Sequence, residues 1–200
     1  MPTALKNIWG IIMLKIKKRL SKKNFIEMYE IERYYYSEEF ITPAEESYLW
    51  YKFKANSICA IADNGIIVGF MNLFPISEEI YNQIKRGVYQ DSKMTYKEIL
   101  EPDESEGPIY LFLSCVAVHQ QYRKSKALEM MLEDYIKQYE AWLLKGYSIH
   151  GIVTENVTQA GLKFSLKMGM KNINISDHNS YICEGTFENF KEQFIKIYGK

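Results

Sequence analysis

The stretch Ile109-Tyr110-Leu111-Phe112-Leu113-Ser114-Cys115-Val116-Ala117-Val118 is the most apolar run in the chain, and polar His119-Gln120-Gln121-Tyr122-Arg123 follows it at once. The run is short, rich in β-branched and aromatic residues, and bounded by Pro108 on its other side. It reads as a central strand buried on both faces. Ser125 to Leu144 comes next, with apolar side chains at Leu128, Met131, Leu132, Tyr135, Ile136, Tyr139, Trp142 and Leu143. Spacings of three and four predict a long amphipathic helix, closed by Gly146. Ile149–Val153 reads as a further strand. Thr158 to Met168 reads as a helix that Gly169 ends.

Upstream of the central strand, Ile58–Ala62 and Ile66–Leu73 are apolar and flank Asp63-Asn64-Gly65. Asn-Gly tolerates positive φ, so this is a tight hairpin. Residues 14–20 begin with alternating Leu14-Lys15-Ile16-Lys17, a half-buried strand pattern. Ser21 caps a helix through Phe25, Met28 and Ile31–Glu32, and Pro43-Ala44-Glu45-Glu46 starts a second one reaching Phe53. Ser77-Glu78-Glu79 opens a short helix to Ile84. The polar segment from about Gln90 to Gly107, crowded with Glu101, Asp103, Glu104 and Glu106, reads as a solvated loop. Ile173–Ile175 and Tyr181–Phe187 read as strands before a last helix to Tyr198. The order predicts an α/β fold, a central, twisted, mixed sheet with helices on both faces.

Composition sets limits on function. The 200 residues carry 25 Lys plus Arg against 25 Asp plus Glu, a formal net charge of +0. Such a balance argues against a dedicated nucleic-acid binder. No stretch reaches the roughly 18 apolar residues of a membrane span, so no integral membrane segment is expected. Cys59, Cys115 and Cys183 lie far apart, two of them within apolar runs. They read as buried thiols in a reducing, cytoplasmic setting. His119, His150 and His178 are too scattered for a zinc site, and no metal is expected. Nothing marks a linker or repeat, so residues 1–13 read as an N-terminal extension and 14–200 as a single domain. The apolar run Ile8–Leu14 with Lys15, Lys17, Lys18 and Arg19 behind it has the reverse order of a secretory signal. It leaves open either a membrane-surface anchor or a lead-in to an edge strand.

The apolar strand, the Val118 to Arg123 turn and the long helix together resemble motif A of the GNAT superfamily of acyl-CoA-dependent N-acyltransferases. Thr158 to Met170, ending Lys167-Met168-Gly169-Met170, is similar to motif B, and the 58–74 hairpin matches the family's second and third strands. The element order agrees over roughly residues 14–187. The resemblance implies the GNAT fold, with acetyl-CoA as co-substrate and a small-molecule or peptide amine as acceptor; a homodimer is left open. It implies a pantetheine arm along Val116, Ala117 and Val118, and a pyrophosphate at Arg123, Lys124, Ser125, Lys126, Ala127 and Leu128. Asn156, just before the motif B helix, joins these cofactor-binding residues.

The physics of motif A stands without the family. A helix N-terminus offers unpaired N–H groups and a positive dipole end to phosphate. Basic residues there oppose the dipole, so Arg123, Lys124 and Lys126 read as ligand contacts as well as a solvated helix start. The sequence departs from the family at four positions. Lys124, Lys126 and Leu128 stand where small residues, mostly glycine, let phosphates approach the backbone. Ser165 stands in the register of the tyrosine that protonates the leaving thiolate, and serine is a poor acid.

Three catalytic candidates follow: Ser165 at that register, Ser114 on the strand beside the thioester, and Glu155 as a general base at a strand end. Each also has a plain structural reading as a satisfied polar residue. An oxyanion would be met by the backbone N–H of Val118 or a neighbour. His119 reads as a loop residue that could pass a proton at the cleft mouth. Tyr34-Tyr35-Tyr36, Tyr48, Trp50 and Tyr51 are candidates for an aromatic wall around the acceptor. Two classes stay open: an N-acetyltransferase, and a GNAT-fold CoA-binding or regulatory protein with impaired catalysis.

Overall fold

A computed structural model describes residues 13–105 and 107–199. The N-terminal extension as far as residue 12, and with it the anchor reading of Ile8–Ile12, lies outside the described residues. The chain runs β1 (Leu14–Ile16), α1 (Lys22–Glu32), α2 (Ala44–Phe53), β2 (Ile58–Asp63), β3 (Ile66–Ile76), α3 (Glu78–Arg86), β4 (Ile109–Val118), α4 (Ala127–Leu144), β5 (Ile149–Asn156), α5 (Gln159–Lys167), β6 (Lys171–Ile175), β7 (Tyr181–Gly185) and α6 (Phe187–Tyr198). Seven strands make one mixed sheet in the order β1-β2-β3-β4-β5-β7-β6. Among the described residues, only β4 and β5 pair in parallel. The expected α/β fold is therefore present, with shorter β1 and longer β5 than the sequence suggested.

Local chemistry explains the elements. Asn64 (φ 51°) and Gly65 (φ 88°) turn the β2–β3 hairpin in the left-handed region, where Asn and Gly are least strained. Ser77 caps α3 by accepting from the Ile80 N–H at 3.2 Å. The 90–107 segment departs from the expected solvated loop. Three short 3₁₀ turns run through it, Met94 and Ile99 are buried beside Trp50, and the Trp50 indole N–H donates to the Met94 carbonyl at 3.3 Å. A hydrophobic residue every few positions was too sparse a pattern to announce that packing.

Two features of β4 position the site. The first is a bulge. Asn72 pairs with Cys115 and Leu73 with Leu113, so Ser114 is the extra residue on β4. The bulge shifts the side-chain alternation. Ile109, Leu111 and Leu113 pack with α4, and so do Val116 and Val118, while Cys115 and Ala117 pack with α1 on the other face. The second is a splay. β4 and β5 are paired only from Ile109↔Ile149 to Phe112↔Val153. Beyond that point β5 continues on β7 alone, through Thr154↔Cys183 to Asn156↔Tyr181. A cleft opens between the C-terminal halves of the two parallel strands.

Candidate active site

The cleft is a cavity of about 430 Å³. Its walls are β4 from Leu113 to Val118, the end of β5 with the start of α5, and a roof from the C-terminal end of α1. His119 N–H donates to the Val68 carbonyl at 2.8 Å, and Gly69↔Val118 is the next pair in register. Antiparallel pairing alternates, so the N–H and C=O groups of Val118 and Val116 turn away from β3 toward the splayed edge. They form a strand edge without a strand partner among the described residues, on which an amide-rich chain can add. Ala117 differs. Its side chain is buried against the α1 face, and its backbone lies in the ladder to Phe70. Tyr35 Oη already donates to the Val118 carbonyl at 2.8 Å.

The basic turn lies at the far end of the same strand. Arg123 lines the cavity, with its guanidinium 4.6 Å over the Tyr35 ring. Lys124 and Lys126 are exposed. Ser125 makes the turn itself: its hydroxyl donates to the Tyr122 carbonyl at 2.6 Å and accepts from the Ala127 N–H at 3.2 Å. Ala127 is buried in the core, so its methyl and its N–H are both already used. The N–H groups of Leu128 and Glu129 have no backbone acceptor outside the helix among the described residues, as a first turn requires. Leu128 lines the cavity.

Asn156 lines the cavity as well, and its side chain is locked. Its Oδ1 accepts from Ser165 Oγ at 2.9 Å, and its Nδ2 donates to the Tyr181 carbonyl at 3.2 Å. This corrects the reading of Ser165 as a group beside the reacting atoms. Ser165 is 0% exposed, is not part of the cavity wall, and has its hydroxyl committed to Asn156. It lies one helical face removed from the cleft, bonded to a residue of the wall.

Ser114 and Glu155 do reach the cavity, and the sequence missed their partners. Ser114 Oγ lies 3.4 Å from Asp91 Oδ2, and Asp91, from the segment expected to be solvated, is part of the wall. Glu155 Oε1 accepts from Ser176 Oγ at 2.6 Å. Glu32, at the end of α1, is 8% exposed and lines the same wall beside Tyr36 and Cys115. Burial pushes the Glu32 carboxyl up to about 8, against a hydrogen bond from the Cys115 thiol that lowers it and the Asp91 charge that raises it further. Burial, then repulsion from Glu155, pushes Asp91 up to about 7, against the Ser114 hydrogen bond that lowers it.

Asn72 lines the cavity too, and signals for it and for Glu32 were present in the sequence. Glu32 falls four residues after Met28 on the apolar stripe of α1, and Asn72 interrupts the apolar run of β3. Asp91 had none. The aromatic wall shrinks in turn. Tyr35, Tyr36 and Phe40 line the cavity, whereas Tyr48 and Tyr51 pack on Phe25, and Trp50 is buried on Phe74. Tyr34 is exposed, and His119 lies against Tyr34 and Tyr122 outside the cavity.

No family model matches the sequence, and no curated protein matches it either. Solved structures do match. Ard1 from Thermoplasma volcanium is 14% identical with a TM-score of 0.55, covering 86% of this chain and 96% of its own. Arabidopsis thaliana Naa50, in complex with the bisubstrate analogue CoA-Ac-MVNAL, is 13% identical with a TM-score of 0.54, covering 87% and 99%. The GphF GNAT-like decarboxylase in complex with isobutyryl-CoA is 11% identical with a TM-score of 0.59, covering 87% and 98%. The architecture of this chain, with its splayed central strands, is thus the GNAT fold. At these identities the likeness defines the fold and leaves the chemistry to the residues of the cleft.

Proposed function

We propose that the protein is an N-acyltransferase that moves an acetyl group from acetyl-CoA to a primary amine by direct attack. What carries the reading is the splay of β4 from β5, with the backbone groups of Val116 and Val118 turned away from β3 along one wall of the cavity and Arg123 at its end. The pantetheine arm adds to the β4 edge, and its pyrophosphate meets the α4 start with Arg123, Lys124 and Lys126. Tyr35 leaves the Val118 carbonyl as the arm enters. Asp91 with Glu155 takes the proton of the attacking ammonium, since a carboxyl near 7 is matched to proton transfer at neutral pH. The amine nitrogen then forms a bond to the thioester carbon, the C–S bond breaks, and the leaving thiolate takes up the proton that the acylated nitrogen sheds. In this reading the N–H of Val118 meets the oxyanion and Ser114 stands beside the thioester. The three buried, unpaired thiols suit a reducing, cytoplasmic setting.

A second reading is a CoA-binding or regulatory protein with impaired catalysis. Leu128 in the cavity wall and the burial of Ser165, which leaves no acid in that register, favour it. Both readings require CoA to bind. Arg123→Glu with Lys126→Glu weakens CoA binding by about tenfold or more in calorimetry, and added salt weakens the parent's binding. Equal affinity in the double variant would overturn the CoA assignment. Thiol release from acetyl-CoA with an amine panel separates the two readings.

A further inference from the structure

Three carboxyls, Glu32 from α1, Asp91 from the 3₁₀ turn and Glu155 from β5, border one end of the cavity. None of the three is in an ion pair among the described residues. The one cationic side chain lining the cavity among the described residues is Arg123, which lies on the Tyr35 ring beyond the C-terminal end of β4. From Ser114 to Val118 is four residues, or roughly 13 Å of strand. The cavity is therefore polar along its length, cationic where the phosphates enter and acidic beyond the thioester.

A second observation points to a ligand at the acidic end. Asn72, at the bulge opposite Cys115, is 5% exposed and lines the same wall. Its carbonyl oxygen Oδ1 has no hydrogen-bond partner among the described residues. A buried amide oxygen left unpaired costs about 1–3 kcal/mol and is met by a donor in nearly all folded proteins. The Asn72 amide oxygen accepts only, and so does each carboxyl once it is ionised, so the group they suit together is a cation that is only a donor. An ammonium, with three N–H donors and no acceptor, is such a group.

We propose that the acceptor is a short aliphatic diamine or polyamine, with Glu32 and Asn72 holding a second ammonium while Asp91 and Glu155 receive the attacking one. The proposal rests on the acyltransferase reading above and narrows it to an acceptor class. Tyr36 and Phe40 supply an apolar wall for the methylene chain between the two nitrogens. The charges facing the second ammonium are Glu32 and Asp91, with the Tyr36 hydroxyl and the Cys115 thiol neutral around them. Burial keeps Glu32 largely protonated at neutral pH. An arriving ammonium reverses that balance, so binding releases a proton and tightens between pH 6 and 9.

The test uses the full chain with butylamine, putrescine and γ-aminobutyrate, three amines on the same four-carbon chain. Thiol release from acetyl-CoA is expected to give putrescine a kcat/KM about tenfold or more above butylamine, the scale of one charge-assisted hydrogen bond, with γ-aminobutyrate lowest. Glu32→Gln brings the putrescine-to-butylamine ratio to within about threefold, and Glu32→Asp, which keeps the charge, restores most of it. Equal rates with all three amines would overturn the acceptor class and leave the acyltransferase reading intact. Should no amine release thiol, calorimetry with putrescine decides. Binding that Glu32→Gln abolishes, with proton release seen as a difference between two buffers, supports the diamine site while the acyltransferase reading fails. No putrescine binding with or without CoA overturns the diamine site.

Discussion

At the scale of single residues, Glu32 is a carboxyl on a helix face that otherwise packs Phe25, Met28 and Ile31 into the core. Its folded value of about 8 lies above the ordinary 4.5, so the folded state prefers the protonated form. Stability from this group is fully present below pH 4.5. It falls as the unfolded chain ionises, and reaches its floor once pH passes about 8. Glu32→Gln removes the titration. The variant is expected to match the parent's Tm at pH 4.5 and to exceed it by about 5 °C or more at pH 8.5, in scanning calorimetry across that range. A constant difference would show that the carboxyl does not titrate late. Ser165→Ala removes one hydrogen bond from Asn156 and costs about 1 kcal/mol in urea unfolding. Turnover falls by less than about a hundredfold, because the hydroxyl orients a wall residue and never meets the thiolate. A larger loss would make the serine a participant.

At the scale of elements, the acidic end of the cavity depends on the C-terminus of α3. Gly87 ends that helix at φ 74°, and its carbonyl accepts from Asp177 N–H at 3.0 Å. A Cβ on Gly87 would stand 2.5 Å from the Ser176 Cα, with backbone rather than a flexible tip in the way. Ser176 in turn donates to Glu155. Gly87→Ala therefore has to push the β6–β7 connection and move the hydroxyl that holds a cavity carboxylate. Left-handed strain and overpacking together are expected to cost about 2–4 kcal/mol in denaturant titration. The same shift is expected to raise KM for the amine more than KM for acetyl-CoA, because Val116, Val118 and Arg123 are remote from it. A variant with unchanged stability would show that the connection gives way freely.

At the scale of the whole molecule, α4 is joined to the sheet by more than apolar contact. β2 starts at Ile58 opposite Asn72, so beyond that point β3 has no strand partner on its β2 side among the described residues. There the Pro75 carbonyl accepts from the Leu100 N–H at 2.9 Å. The exposed groups of Leu73 are met by side chains instead. Tyr139 Oη donates to the Leu73 carbonyl at 2.7 Å, and Leu73 N–H donates to Tyr135 Oη at 3.3 Å. Tyr135 Oη lies 2.9 Å from both the Ser57 and Met71 carbonyls, its one proton serving one of them at a time. Part of the chain's excess of tyrosine, 16 against 3 Trp, is thus spent on finishing a sheet edge. Tyr139→Phe keeps the packing and strands a buried carbonyl, and is expected to cost about 1–3 kcal/mol in urea unfolding. A neutral effect would mean that water reaches the Leu73 carbonyl.

The sequence by itself determined the order of elements, the buried central strand and the hairpin, because these follow from near-neighbour patterns: period two, spacings of three and four, and Asn-Gly at a turn. The helix start at Arg123 to Leu128 was legible for the same reason. The resemblance in motif order led to the fold that the solved structures share. Only the tertiary structure could decide which face each polar residue meets. Ser165 and Ser114 look alike in sequence as lone serines between apolar neighbours; a helix turn buries one against Asn156, and a one-residue bulge turns the other into the cavity. Glu32, Asn72, Asp91 and Glu155 are spread over more than a hundred positions. They meet because α1, a bulged β3–β4 pair, a 3₁₀ turn and the free end of β5 converge where two parallel strands part. A splay of that kind leaves no local mark, since it consists of hydrogen bonds that are not formed.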